Sequence, residues 1–184
     1  VFKVLDTDAR IEDSGTLTPE VKGKIEFDHV SFAYVEDDEV LKDIDFTIEP
    51  GETLAIVGAT GSGKSTIINL LTRLYQYQKG EIRLDGTAID KIDLRHLREN
   101  IAVILQDVFL FSGSVLDNIR LRNEEITEEE VKEAARIIGA DEFISELPGG
   151  YTFEVRERGS TLSMGQRQLI SFIRALVYNP KVLI

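Results

Sequence analysis

The spacing of apolar residues predicts two strands near the start of the chain and then a third strand that leads into a helix. Apolar residues alternate through residues 25–34 with one change of phase, which predicts a strand with a bulge near Asp28. The same reasoning predicts a second strand over residues 40–48. Residues 53–57 predict a short apolar strand, and the apolar run that begins at Ile67 predicts the helix after it.

The rest of the chain adds further strands and a helix-rich middle. Residues 80–86 predict a short strand closed by an Asp-Gly turn. Residues 101–105 predict a buried strand that ends at Gln106. A strongly apolar helix is predicted over residues 169–177, and another buried strand begins at residue 182.

This order of elements predicts an α/β fold with a mainly parallel sheet core, an N-terminal antiparallel β portion and an inserted helical subdomain. The helical subdomain covers about residues 107–158 and contains a capping box over residues 127–130. Residues 1–23 are mostly polar and predict a connector, so the folded domain spans residues 24–184. We expect both ends to continue into a longer protein, because the chain begins without Met and ends on an apolar run.

The charge and the cysteine content of the chain argue against several classes of function. The chain has 21 Lys and Arg residues against 33 Asp and Glu residues, a net charge of −12 among 184 residues. Such a surface repels phosphate backbones, so we expect no nucleic-acid partner. The chain contains no cysteine, which excludes thiol catalysis and disulfides.

Residues 58–66, Gly-Ala-Thr-Gly-Ser-Gly-Lys-Ser-Thr, fit the phosphate-binding P-loop pattern between the predicted strand and helix. Glycines let backbone N–H groups approach phosphates, and a helix N-terminus adds partial positive charge. Lys64 can reach the terminal phosphates of a nucleoside triphosphate, and the Ser65 hydroxyl can bind Mg²⁺. The fold class is therefore P-loop NTPase-like. The candidate nucleotide-binding residues here are Gly58, Thr60, Gly61, Ser62, Gly63, Lys64, Ser65 and Thr66.

A second segment, Leu-Ser-Met-Gly-Gln over residues 162–166, leads directly into the last apolar helix. Ser163 stands where a helix N-cap belongs, so its hydroxyl and the N–H groups after it can bind an anion. The same residues are also what a well-capped helix requires, and residue chemistry alone leaves both interpretations open.

Together these segments resemble the nucleotide-binding domain of ATP-binding cassette (ABC) transporters, of the exporter type. The resemblance covers roughly residues 24–184, with the motifs in family order and spacing. The matching segments are residues 30–34 (adenine-stacking loop), 58–66 (P-loop), 104–107 (Q-loop), 109–119 and 150–159 (exporter segments) and 162–166 (signature).

The resemblance implies roles for individual residues. Tyr34 would stack on the adenine of ATP, and Ser65 and Gln106 would ligate Mg²⁺. The signature residues Ser163, Gly165 and Gln166 would contact ATP bound to a partner domain. The implied partners are a second nucleotide-binding domain, in a homodimer or a heterodimer, and a membrane domain fused upstream. The implied location is the cytoplasmic face of the cell membrane.

The chain departs from the family pattern in two ways. Met164 stands where the signature has glycine, which raises the possibility of a heteromeric partner with one weakened site. The catalytic carboxylates and the switch histidine of the family are expected after Ile184, and His29 and His96 both precede the signature. We therefore expect no catalytic residue within the chain. These 184 residues should bind ATP weakly at best and without appreciable turnover, and the intact protein should be an ATPase.

Two alternatives remain open from the sequence. A soluble, non-transport ABC ATPase that acts as a clamp on DNA or ribosomes is disfavoured by the acidic charge and the exporter segments. A P-loop kinase or GTPase is disfavoured by the signature segment. The transported substrate is not encoded in these motifs.

Overall fold

The computed structural model describes residues 14–156 and 159–184 and divides the chain into two units. The first unit ends at Ile101, and the second spans Ala102–Ile184. The strands are β1 (Ile25–Ala33), β2 (Glu39–Ile48), β3 (Lys79–Leu84), β4 (Thr87–Ala88), β5 (Ile101–Ala102), β6 (Gly113–Ser114), β7 (Glu154–Val155) and β8 (Val182–Leu183). The helices are α1 (Lys64–Leu71), α2 (Leu94–Asn100), α3 (Val115–Arg120), α4 (Glu128–Ile138), α5 (Asp141–Glu146), a 3₁₀ turn (Gly150–Thr152) and α6 (Met164–Val177).

The first unit is built on a four-stranded antiparallel sheet in the order β2-β1-β3-β4. Phe27 of β1 pairs with Phe46 of β2 and with Ile82 of β3, and the rings of Phe27 and Phe46 stack with centroids 4.7 Å apart. The register shifts between Phe27 and Val30, where His29 adopts a φ of 51°. This confirms the predicted bulge and the predicted antiparallel N-terminal portion.

Gly80 allows β3 to lie against the bulge. A Cβ atom at Gly80 would lie 2.3 Å from the carbonyl oxygen of His29 and 2.4 Å from that of Asp28. The φ of Gly80 is +79°, a value that side chains other than glycine rarely adopt. Space and backbone conformation therefore both require glycine at this position.

The predicted Asp-Gly turn closes the β3–β4 hairpin, with Asp85 and Gly86 both at positive φ. The Asp85 carboxylate accepts hydrogen bonds from the backbone N–H groups of Lys22, Gly23 and Lys24 over 2.8–3.1 Å. One side chain thus attaches the end of the predicted connector to the sheet. Residues 1–13 of that connector lie outside the described residues.

The second unit is mainly helical around an apolar core. The predicted capping box is confirmed, because Thr127 and Glu130 bond to each other's backbone at the start of α4. No helix among the described residues is long and apolar enough to cross a membrane. The core residues with no exposed surface are Leu110, Val115, Ile119, Val131, Ala135, Ala140, Ile144, Ile170 and Ile173.

Two predicted strands differ from the structure. Residues 53–57 form no strand, and Leu54, Ile56 and Val57 are exposed. An apolar strand is stable only where neighbouring strands bond its backbone and cover its faces, and no described residue pairs with this segment. The strand predicted over residues 101–105 is shorter, although the backbones of Ala102 and Ile104 both bond Ile184 in the pattern of a parallel pair.

The charged groups at the bulge predict that the stability of the protein depends on pH. The hydrogen bond with Asp43, and then the charges of Asp43 and Asp45, raise the pKa of His29, which also lies near Asp28. A raised pKa in the folded state stabilises the protein below the unfolded value of about 6.5, and this stabilisation is lost as pH rises through the folded value.

We expect the melting temperature of the wild-type protein to fall more steeply than that of His29→Asn between about pH 6 and pH 8.5. Asparagine tolerates the left-handed backbone of residue 29, so the variant removes the charge without straining the bulge. Thermal unfolding in matched buffers measures the difference. Parallel curves for the two proteins would show that the His29–Asp43 pair does not affect stability.

Candidate nucleotide-binding site

The P-loop, residues 58–66, includes the first turn of α1. The helix starts after Gly63, whose backbone is left-handed with φ 89° and ψ 3°. A Cβ atom at Gly63 would lie 2.6 Å from Cδ2 of Leu41, and the positive φ of Gly63 is one that other residues rarely adopt, so glycine is favoured there. The first N–H groups of a helix have no acceptor within the helix. The backbone N–H groups of Lys64, Ser65 and Thr66 are therefore the natural donors for a phosphate.

Lys64 brings positive charge to the loop itself. Its Nζ donates hydrogen bonds to the carbonyl oxygens of Gly58 at 2.9 Å and Ala59 at 2.8 Å. These acceptors are exposed, so a phosphate can compete for the same ammonium group. Ser65 is exposed at the start of the helix, and the remaining loop residues Thr60, Gly61 and Ser62 are exposed as well.

Tyr34 lies beside the P-loop helix, although 30 residues separate it from that helix in sequence. Its hydroxyl is 3.2 Å from Oγ1 of Thr66 and accepts a hydrogen bond from Nδ2 of Asn69 at 3.3 Å. Thr66 is buried, and its hydroxyl makes this contact within the fold. The structure thus joins the predicted base-stacking residue to the predicted phosphate-binding helix.

Neighbouring aromatic rings fix the orientation of Tyr34. Phe32 and Tyr75 lie edge-on to it, with centroid distances of 4.7 Å and 4.9 Å, and 46% of Tyr34 remains exposed. Sequence reasoning missed the roles of Tyr75 and Asn69. The spacing of Asn69 three residues after Thr66, on the same helix face, was the available clue.

The signature segment, residues 162–166, forms the start of α6 in the second unit. Ser163 is the N-cap, as predicted: its Oγ accepts from the N–H of Gln166 at 3.2 Å, and its own N–H donates to Oε1 of Gln166 at 2.9 Å. Met164 is 65% exposed. A Cβ atom at Gly165 would meet no atom within 4 Å, so the helix start is open at that position.

Gln106 is also exposed and lies in the second unit. It lines a small cavity of about 110 Å³ together with Asp107, Val108, Met164 and Arg167. Ser65 belongs to the first unit, so the structure describes the two predicted Mg²⁺ ligands in separate units.

One further cluster has the composition of a metal site. Ligand atoms of Asp28, His29 and Asp45 lie within 4.8 Å of one another. Asp28 already pairs with Arg83 at 3.2 Å, and His29 with Asp43 at 2.7 Å. These ion pairs account for the cluster, and we assign it no metal.

A glycine-rich loop that runs into a helix with an open start, and an exposed ring bonded to that helix, indicate a P-loop nucleotide-binding protein. The sequence profile of the family described as "ABC transporter" matches residues 41–184. The chain belongs to the ABC transporter family.

Individual relatives of the chain support this family assignment. The chain is 49% identical, over its whole length, to the "Probable multidrug resistance ABC transporter ATP-binding/permease protein YheH" of Bacillus subtilis, of which it covers 27%. It is 44% identical to the "ATP-dependent lipid A-core flippase" of Saccharophagus degradans and covers 31% of that protein. The chain therefore spans about three-tenths of these relatives.

A solved structure is also similar. The "Structure of a bacterial Atm1-family ABC exporter with ATP bound" matches with a TM-score of 0.90 and 36% identity. The match covers 99% of this chain and 32% of that one. The chain therefore has the fold of an ABC exporter nucleotide-binding domain, which includes the antiparallel sheet and the helices.

The cap at Ser163 can be tested by stability alone. We expect Ser163→Ala to lower the free energy of unfolding by about 1 kcal/mol, because the N-cap hydrogen bond is lost. Ser163→Asp should retain most of the stability, since aspartate is an equally good N-cap. Urea unfolding measures both variants, with Thr127→Ala at the equivalent cap of α4 as the matched control. A loss for Thr127→Ala with none for Ser163→Ala would contradict the assignment.

Proposed function

We propose that this chain is the nucleotide-binding part of the ATP-hydrolysing motor domain of an ABC exporter, in which ATP-driven dimerisation is coupled to transport. The observation that carries the proposal is the 3.2 Å contact between the hydroxyls of Tyr34 and Thr66. It places an exposed ring beside a helix start with unpaired N–H groups, within one unit. An aromatic face beside a set of backbone donors suits the adenine and the phosphates of ATP.

The chemistry of the loop suits ATP. The N–H groups at the start of α1 and the Lys64 ammonium bind the phosphates, and the face of Tyr34 stacks on the base. Base–aromatic stacking is worth about 1–3 kcal/mol. Contacts to both ends of the nucleotide thus contribute to affinity.

Mg²⁺ fits the donors that are present. The Ser65 hydroxyl and the Gln106 amide oxygen are exposed oxygen ligands, and Mg²⁺ typically takes one or two protein ligands beside phosphate oxygens and waters. When bound, the ion neutralises charge on the β- and γ-phosphates. The chain's own part in this proposal is to supply these two oxygen ligands.

The open start of α6 suits a phosphate from a partner domain. Ser163 accepts a hydrogen bond as the cap, and its hydroxyl proton can be donated to an anion. Gly165 leaves space beside it, and Gln166 holds the cap in place. Exposed Met164 stands at the start of α6, where the family signature has glycine. We propose that this substitution weakens one of the two sites of the dimer, which favours a heteromeric partner.

The longer relatives support a transporter setting. Several are named as ATP-binding/permease proteins, and this chain covers 27% of one and 29% of another. We propose a membrane domain joined upstream and a location on the cytoplasmic face of the cell membrane. No catalytic carboxylate is assigned among these 184 residues, so the polypeptide should bind ATP without turnover, and the intact protein should hydrolyse it.

ATP binding at the P-loop is tested by removing its positive charge. Lys64→Ala should weaken MgATP binding about ten- to a hundredfold, because a hydrogen bond to a charged group contributes about 1.5–3 kcal/mol. Isothermal titration calorimetry measures the affinity. Lys91→Ala, at another exposed lysine of the first unit, is the control. Equal affinities for Lys64→Ala and Lys91→Ala would exclude the loop as the phosphate site.

The signature is tested by a variant that keeps the cap. Ser163→Asp should preserve the folded state but repel a phosphate, so ATP-induced dimerisation should be lost while ATP binding to the monomer persists. Sedimentation velocity with a slowly hydrolysed ATP analogue reports the dimer. Thr127→Ala, which removes an equivalent cap elsewhere, should still dimerise. Normal dimerisation of Ser163→Asp would argue against a trans-acting signature.

A further inference from the structure

Gln78 extends the sheet beyond the last backbone pair of β1 and β3. The register of these strands ends with Ser31 opposite Lys79, and the N–H of Gln78 then donates to the Ser31 carbonyl at 3.3 Å. The chain of Gln78 leaves the sheet at this point. Its side-chain amide turns back and takes the place of the next peptide group.

The amide meets Ala33 with both of its polar atoms. The N–H of Ala33 donates to Oε1 of Gln78 at 2.9 Å, and Nε2 of Gln78 donates to the Ala33 carbonyl at 2.9 Å. This is the two-bond exchange of a hydrogen-bonded antiparallel pair, made by a side chain. On the other edge of β1, Ala33 is opposite Glu39 of β2. Ala33 is therefore held from both sides.

We propose that Gln78 is a positioning residue for nucleotide binding, acting through Tyr34. Tyr34 is the residue after Ala33, so the bonds to Gln78 fix the backbone from which its ring projects. The ring tip is fixed separately by Thr66 and Asn69. With the backbone and the hydroxyl both held, the exposed ring is presented to the base in one orientation. This inference rests on the proposed stacking of Tyr34 on adenine.

Gln78 is well placed for a test because it is exposed. It lines an open cleft of about 500 Å³ together with Ala33 and Tyr34, so replacing it leaves no buried void. Gln78→Met keeps the length of the side chain and removes both hydrogen bonds. Gln76→Met is the matched control, since Gln76 is exposed nearby and makes no side-chain hydrogen bond with any residue the structure describes.

The experiment is a double-mutant cycle on the protein, with two probes, MgATP and inorganic tripolyphosphate with Mg²⁺. Gln78→Met should weaken MgATP binding about three- to tenfold and leave tripolyphosphate binding unchanged, because only the base contact depends on Tyr34. Tyr34→Ala should weaken MgATP binding about five- to a hundredfold. The Gln78→Met change should then have no further effect in the Tyr34→Ala background.

Each other outcome overturns the inference in a distinguishable way. Equal losses for MgATP and tripolyphosphate would indicate a general structural role for Gln78. A full additional loss in the Tyr34→Ala background would show that Gln78 does not act through Tyr34, and an effect no larger than that of Gln76→Met would show no role at all. If Tyr34→Ala itself leaves MgATP binding unchanged, the proposed adenine contact fails, and the inference fails with it.

Discussion

The hydrogen bonding of β1 on both edges is the constraint on which the first unit depends. β2 and β3 each pair with it, and its bulge at His29 fits only because Gly80 of β3 carries no Cβ. The same strand ends at Ala33, where the pairing is completed by a side chain. The position of Tyr34 is therefore a consequence of sheet register.

The P-loop depends on a second close approach, that of α1 to β2 at Gly63. The helix begins after Gly63, and its first N–H groups have no acceptor within the helix. Lys64 adds charge at the same end, and Thr66 links the helix to Tyr34. Contacts within one unit thus bring together the groups that we propose bind the base and the phosphates. The capped start of α6 lies in the second unit, where we propose a separate anion site.

Local patterns predicted much of this arrangement. The bulge, the Asp85-Gly86 turn and the caps at Thr127 and Ser163 are confirmed, because each depends on residues close together in sequence. The strand over residues 53–57 was wrong for the described structure, since strand formation requires partners that periodicity does not specify.

The contacts around Tyr34 could not be predicted. They depend on which residue of β1 faces which residue of β3 and α1, and the bulge shifts that register. Gln78 in particular has no motif, and its role follows only from where β3 begins. Family resemblance suggested an adenine-stacking role for Tyr34 but not the contacts that hold its side chain.

The central claim is that one unit binds both ends of a nucleotide, at the start of α1 and at Tyr34. Backbone NMR during titration with MgATP tests it most directly. We predict large amide shifts at Lys64, Ser65 and Thr66, and ring-current shifts of the Tyr34 side chain at the same nucleotide concentrations. Shifts confined to other residues, or loop shifts with no change at Tyr34, would contradict the account.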